Sequence, residues 1–160
     1  MEGNRSMTSG KVLAICIGPK AGDPMRSVDY VEAIEGAGLH GDRYCRGEGS
    51  FNKGTKGTRQ VTIMNTRFFP GSGFEYVDSR RNLFTEGVEL MWLIGRDFQI
   101  GGARMRGLRY CDPCMRPSKL SGKKASFKDA FHDRGGIVVE VISGGLIRVG
   151  DAVIPPPKNY

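Results

Sequence analysis

The sequence predicts a mainly β protein: a barrel of short strands with a few accessory helices. Three observations lead there. Glycine fills 24 of 160 positions, which favours turns and close backbone approaches over long helices. Short runs rich in Val and Ile recur along the chain, and Gly or Pro ends them. These runs do not alternate with helices as a parallel βαβ sheet requires.

The elements follow in order. Residues 1–9 are polar and without pattern and are expected to be a disordered leader. Lys11 to Gly18 is a strand closed by Gly18-Pro19, and Ser27 to Ile34 carries a second strand pattern. From Gly36 to Gly57 the chain is rich in Gly, Lys and Arg, as in a long functional loop. Arg59 to Asn65 is a strand, and Arg67 to Ser79, with Pro70, Gly71 and Gly73, is irregular with at most one helical turn. Asn82 to Leu93 fits strand or helix. Asp97–Ile100 and Ala103–Tyr110 flank Gly101-Gly102 as a hairpin. Ser121 to Phe131 is the best helix candidate, with Phe127 and Phe131 at i and i+4. Ile137–Ile142 and Leu146–Val149 are β-rich runs around Ser143-Gly144-Gly145, and Gly150 with Pro155–Pro157 ends the fold. This gives six or seven strands in one domain, residues 10–155, with a tail at 156–160. A chain this long buries roughly two-thirds of its unfolded surface and needs no disulfide to hold a core.

The formal charge of +7 suits anionic partners, yet the cations are dispersed. They stand as Arg80–Arg81, Arg104–Arg106–Arg109 and Lys119–Lys123–Lys124. That dispersion, with no stacking pattern among Tyr44, Phe51, Phe68 and Phe69, argues against a nucleic-acid role. The first apolar run, Val12 to Ile17, is too short for a signal core or a membrane span. A cytoplasmic protein is expected, with its four cysteines as thiols or ligands.

Gly36-Ala37-Gly38-Leu39-His40-Gly41 matches G-x-G-x-x-G, but no helix-forming stretch follows and residues 53–65 hold no acid. A dinucleotide site is therefore not expected. Its glycines still admit a ligand close to the backbone, and His40, Arg43, Arg46 and Lys53 could meet an anion there. A solvated loop capped by Asp42 is the plainer alternative.

Cys111-Asp112-Pro113-Cys114 is the strongest local signal. Asp112 suits an N-cap and Pro113 the first helical position, which predicts Cys114 at the second position of a helix. Free N–H groups there, with Arg109 and Arg116 nearby, favour a thiolate. Pro117 would then interrupt that helix. No second C-x-x-C completes a zinc ribbon, so zinc is not expected. A buried inert cysteine remains open. Arg80-Arg81-Asn82 offers forked donors for phosphate or carboxylate, or a surface turn capped by Asn82.

In order along the chain these pieces resemble the MOSC domain, named for the C-terminal part of molybdenum cofactor sulfurases, and above all its small stand-alone bacterial members. Gly38–Arg43 is similar to the family's Gly-x-x-Gly-Asp-Arg element, Arg81-Asn82-Leu83 with Glu86-Gly87-Val88 to its Arg-Asn-hydrophobic element, and Cys111–Cys114 to its cysteine site. Arg59-Gln60-Val61, Leu93–Gly101, Arg134–Gly136 and Ile147–Asp151 resemble the strands between and the closing hairpin. The resemblance implies a β-barrel that binds a pyranopterin molybdenum cofactor. It implies that Cys114 ligates molybdenum or carries persulfide sulfur. With the polar chemistry of these residues, it points to His40, Asp42, Arg43, Arg81, Asn82 and Arg116 around the cofactor. The expected function is a molybdenum-dependent oxidoreductase acting on N-hydroxylated compounds. The alternative is a non-catalytic carrier of the cofactor or its sulfur. The sequence has no flavin, haem or iron–sulfur signature, so the enzyme needs an external electron donor and the carrier a sulfur-donating partner.

Overall fold

The structure, a computed structural model, describes residues 9–52 and 57–157. All but Ser9 of the expected leader, Lys53 in the basic loop, and the last three residues fall outside that range. Seven strands close into a ring. They are β1 (Gly10–Ile17), β6 (Leu83–Glu86), β5 (Val61–Asn65), β9 (Ile137–Ser143), β8 (Ala103–Tyr110), β7 (Asp97–Ile100) and β11 (Ala152–Ile154), which returns to β1. The fold is the expected mainly β barrel, with two short α-helices among the described residues: α1 (Arg116–Ser121) and α2 (Phe127–Ala130).

Three of the ring strands, β1, β5 and β6, bury both faces and so feed two cores. Val12, Ile15, Val61, Ile63, Leu83, Ile100, Met105, Val139 and Val153 form one core. Ala14, Cys16, Met64 and Phe84 point to the opposite face and meet Phe69, Phe74, Phe127 and Phe131 in a second. Each fully buried Ile, Leu or Phe contributes about 1.5–3 kcal/mol. The rings of Phe127 and Phe131 lie 4.5 Å apart, so the i, i+4 pair is real. The helix is shorter than expected: Gly122, at φ +73°, ends α1, and α2 starts only after Ser126 caps Asp129. The 66–79 stretch holds two 3₁₀ turns rather than one, Thr66–Phe68 and Tyr76–Ser79.

Three strand expectations need correction. The 27–34 run breaks at Asp29 into β2 (Arg26–Val28), which extends the large sheet from β1, and β3 (Tyr30–Ile34), which joins a small one. The Asp29 carbonyl is used instead by the N–H of Val149. The runs around Ser143-Gly144-Gly145 are not a hairpin. β9 pairs with β5 and β8, whereas β10 (Gly145–Arg148) pairs with β3, which also pairs with β4 (Gly38–Leu39). The glycines hand the chain from one sheet to the other; an added Cβ at Gly145 would lie 2.0 Å from the Gly102 carbonyl. The third is an omission: between Gly150 and the prolines that end the fold the sequence predicts no strand. β11 follows, pairing Val153 with Gly10 on one side and with Ile100 on the other, and it closes the barrel.

β5 and β6 are the parallel pair within the ring. Their crossover, residues 66–82, carries Phe69 and Phe74 of the second core and delivers Arg80, Arg81 and Asn82 to one end of β1, β5 and β6.

Candidate functional site

Asn82 is wholly buried and stitches strand ends together. Its Oδ1 accepts from the Thr62 N–H at 3.1 Å and from the Thr62 hydroxyl at 3.2 Å. Its Nδ2 donates to the Cys16 carbonyl at 3.2 Å, and its own carbonyl accepts from the Cys16 N–H at 2.7 Å.

The next layer is Asp42, also wholly buried, in the turn after β4. It caps the Arg43–Arg46 3₁₀ turn by accepting from the Tyr44 N–H at 3.2 Å, and it accepts from the Gly18 N–H at 2.9 Å. Arg43 donates from Nη1 to Asp42 at 3.2 Å and to the Met25 sulfur at 3.3 Å. A Cβ at Gly18 would sit 2.5 Å from that sulfur and 3.0 Å from the Arg43 guanidinium, so any side chain there would displace the Met25–Arg43 contact. Burial pushes the Asp42 carboxyl up; Arg43, the Gly18 and Tyr44 N–H groups and Asn82 oppose it.

Arg80 comes next, buried and in the left-handed conformation at φ 62°. Its Nη1 donates to the Asp23 carbonyl at 2.8 Å, while Nη2 is buried with no partner. Burial, with Arg43 and Arg116 close by, lowers the guanidinium to about 10, so it stays charged at neutral pH. Arg116, half-buried, opens α1. Arg81 spends its fork on backbone: Nε to Gly135 at 3.1 Å, Nη1 to Ser79 and Nη2 to Asp112, both at 3.4 Å. It thereby ties the cysteine loop to the 134–136 loop.

That cysteine loop departs from expectation. Residues 111–114 are not helical, Asp112 caps nothing, and α1 begins after Met115. Pro117 does not interrupt a helix; it sits in the first turn of α1, where a missing N–H costs nothing. The 111–114 segment is held instead by the Cys111 N–H on the Gly136 carbonyl at 2.9 Å and by Arg81 on Asp112. Cys114 therefore lies before the Met115 cap, outside the helix rather than in its first turn. Cys114 is a free, half-buried thiol; Cys111 is buried and accepts from Arg59 Nη2 at 2.9 Å.

The structure thus gathers Asp42, Arg43 and Asn82, sets Arg116 beside Arg80, and links Arg81 to the loop of Cys114. His40 stands apart: exposed after β4, with its N–H on the Glu32 carbonyl. Two participants escape a sequence reading. Arg80 turns inward because its backbone is left-handed. Arg59 is buried against Tyr44 and Phe51, 5.5 and 4.4 Å from their ring centres, with Nε unpartnered. The doubled arginine before Asn82 was a signal for the first; nothing local marks the second. Among the described residues no three of His, Cys, Asp and Glu gather into a metal-binding group. No helix there is long and apolar enough to cross a membrane.

The fold and the site define a small β-barrel with a buried cationic cluster and, two residues before Arg116, a half-buried free cysteine. The family model described as "MOSC domain" matches residues 60–154, and the chain belongs to that family. Solved structures agree on the fold. The YuaD protein of Bacillus subtilis is 19% identical with a TM-score of 0.71, covering 91% of this chain and 94% of that one. YiiM of Escherichia coli is 17% identical with a TM-score of 0.61, covering 93% and 71%. YiiM of Geobacillus stearothermophilus is 13% identical with a TM-score of 0.64, covering 92% and 75%. No curated protein matches the chain.

Proposed function

We propose that the protein binds a pyranopterin molybdenum cofactor between the Arg43–Arg80–Arg116 cluster and Cys114, and acts as a molybdenum-dependent oxidoreductase on N-hydroxylated compounds. MOSC domains are associated with that cofactor. The observation that carries the reading is a charge imbalance: Arg43, Arg59, Arg80 and Arg81 are buried, against one buried carboxylate, Asp42. Buried guanidiniums need a counter-charge. The cofactor's phosphate supplies it, and the unpartnered Nη2 of Arg80 is a donor left over for it.

Cys114 suits the metal because it is a free thiol open on one side, and a thiolate is a soft ligand. The bound cofactor supplies two-electron redox chemistry. The chain's own residues do the rest. Arg80 and Arg116 take the phosphate, Asp42 holds Arg43 in place, and Arg81 fixes the loop that presents Cys114. Reduction of an N–OH group to N–H consumes two electrons and two protons and releases water. The electrons come from an external donor. The half-open thiol also suits a carrier role, in which a sulfur-donating partner loads a persulfide on Cys114.

The test is molybdenum content after expression in a cofactor-producing host. Wild-type protein retains the metal; Arg80→Ala, checked for folding by circular dichroism, retains about tenfold less or worse, as expected for a lost charge-assisted bond. A wild-type protein that never carries molybdenum overturns the reading. Reduction of an N-hydroxylated base by the loaded protein with a chemical reductant separates enzyme from carrier.

A further inference from the structure

A second pocket, of about 350 Å³, opens where the 3₁₀ turn after β5, the segment before Met91, the end of β8 and the 132–136 loop meet. Its lining combines Phe68 and Tyr110 with Leu90, the guanidiniums of Arg67 and Arg134, and Glu89. That volume is within the ~300–1,000 Å³ usual for small-ligand sites.

Two features set it apart from an ordinary surface dent. First, Arg67 and Arg134 both lie against the Phe68 ring, 5.6 and 5.0 Å from its centre. Among the described residues neither forms an ion pair. The pocket's acids are engaged elsewhere: Glu89 accepts from the Met91 N–H at 3.1 Å, and Asp133 faces His132 at 3.5 Å. Two cations are thus packed onto one aromatic ring with no anion assigned to them. Second, Asp133 on the rim takes the left-handed conformation at φ 60°, and non-glycine residues in that region collect at functional sites.

The geometry points to a binding site for a planar aromatic anion of mononucleotide size. The ring would pack on Phe68, Tyr110 and Leu90, and the anionic group would take Arg67 and Arg134; aromatic faces and guanidiniums together recognise that chemistry. This site is separate from the cationic cluster. The two meet at the 134–136 loop, where Gly135 donates its N–H to the Tyr110 hydroxyl on the pocket side and accepts from Arg81 on the other.

Calorimetric titration of the full chain with adenosine monophosphate, adenosine and inorganic phosphate tests it. The monophosphate is expected to bind, and the double variant R67A/R134A to weaken it by about tenfold or more, the scale of losing charge-assisted bonds. Phe68→Leu weakens adenosine and the monophosphate alike. Arg80→Ala leaves both unchanged, although it empties the cofactor site of metal, so the two readings fail separately. The inference is overturned if the monophosphate does not bind at millimolar concentration. It is equally overturned if R67A/R134A binds as wild type, if phosphate alone binds as tightly, or if Arg80→Ala rather than R67A/R134A removes binding.

Discussion

Arg59 donates to the sulfur of Cys111 at 2.9 Å, and both residues are buried. The two cysteines of the C-D-P-C segment therefore have different surroundings. Cys111 is shut in and engaged by a guanidinium; Cys114 is free and half-open. Cys114→Ser is expected to lose most bound molybdenum, and Cys111→Ser to keep most of it. Metal analysis of both variants from a cofactor-producing host checks this. Loss in Cys111→Ser with retention in Cys114→Ser reverses the assignment, and equal retention in both removes the thiolate ligand from the mechanism.

Asn82 anchors the crossover that delivers both arginines. Asn82→Ala leaves the Thr62 N–H and the Cys16 carbonyl without their partner in a wholly buried place. A loss of about 2–4 kcal/mol in unfolding free energy is expected, since each stranded buried polar group costs about 1–3 kcal/mol. Urea denaturation of the cofactor-free protein measures it. An unchanged midpoint would mean that Asn82 serves the ligand rather than the fold.

Cys16 gives a pH signature. Burial pushes its thiol up to about 11 from an ordinary value of 9.0, against a smaller opposing effect of Ser27. Below pH 9 the thiol is protonated in folded and unfolded chains alike, so it adds no pH dependence. Between 9 and 11 the unfolded chain ionises first, unfolding releases a proton, and stability falls as pH rises. Cys16→Ala should flatten that fall in denaturation curves taken at pH 8, 9 and 10. At pH 8 the native Cys16 should resist alkylation while Cys114 reacts; equal rates would contradict its burial.

Much of the fold was legible because it is written locally. Short runs rich in Val and Ile, as in β5 and β9, specify strands, and Gly101-Gly102 specifies the β7–β8 hairpin through its turn. What escaped were features that depend on distant pairing. β11 is three residues of weak pattern, a strand only because β1 and β7 leave edges on both sides of it. Gly144-Gly145 marks a turn, yet nothing nearby says whether the chain folds back or crosses to β3.

The sequence by itself determined which kinds of residue the site would use: Asp42 with Arg43, Arg81 with Asn82, and a cysteine after Asp112-Pro113. Only the tertiary structure decided what each does. Whether a guanidinium faces water or is buried without a partner depends on what packs over it. Arg80 and Arg59 are committed by contacts with Asp23 and Cys111, each more than fifty positions away. Helix onset at Arg116 rather than Pro113 has the same cause. Hydrogen bonds from Arg81 and to Gly136 hold the 111–113 backbone out of a helix, and that tertiary pairing outweighs the capping preference of Asp112.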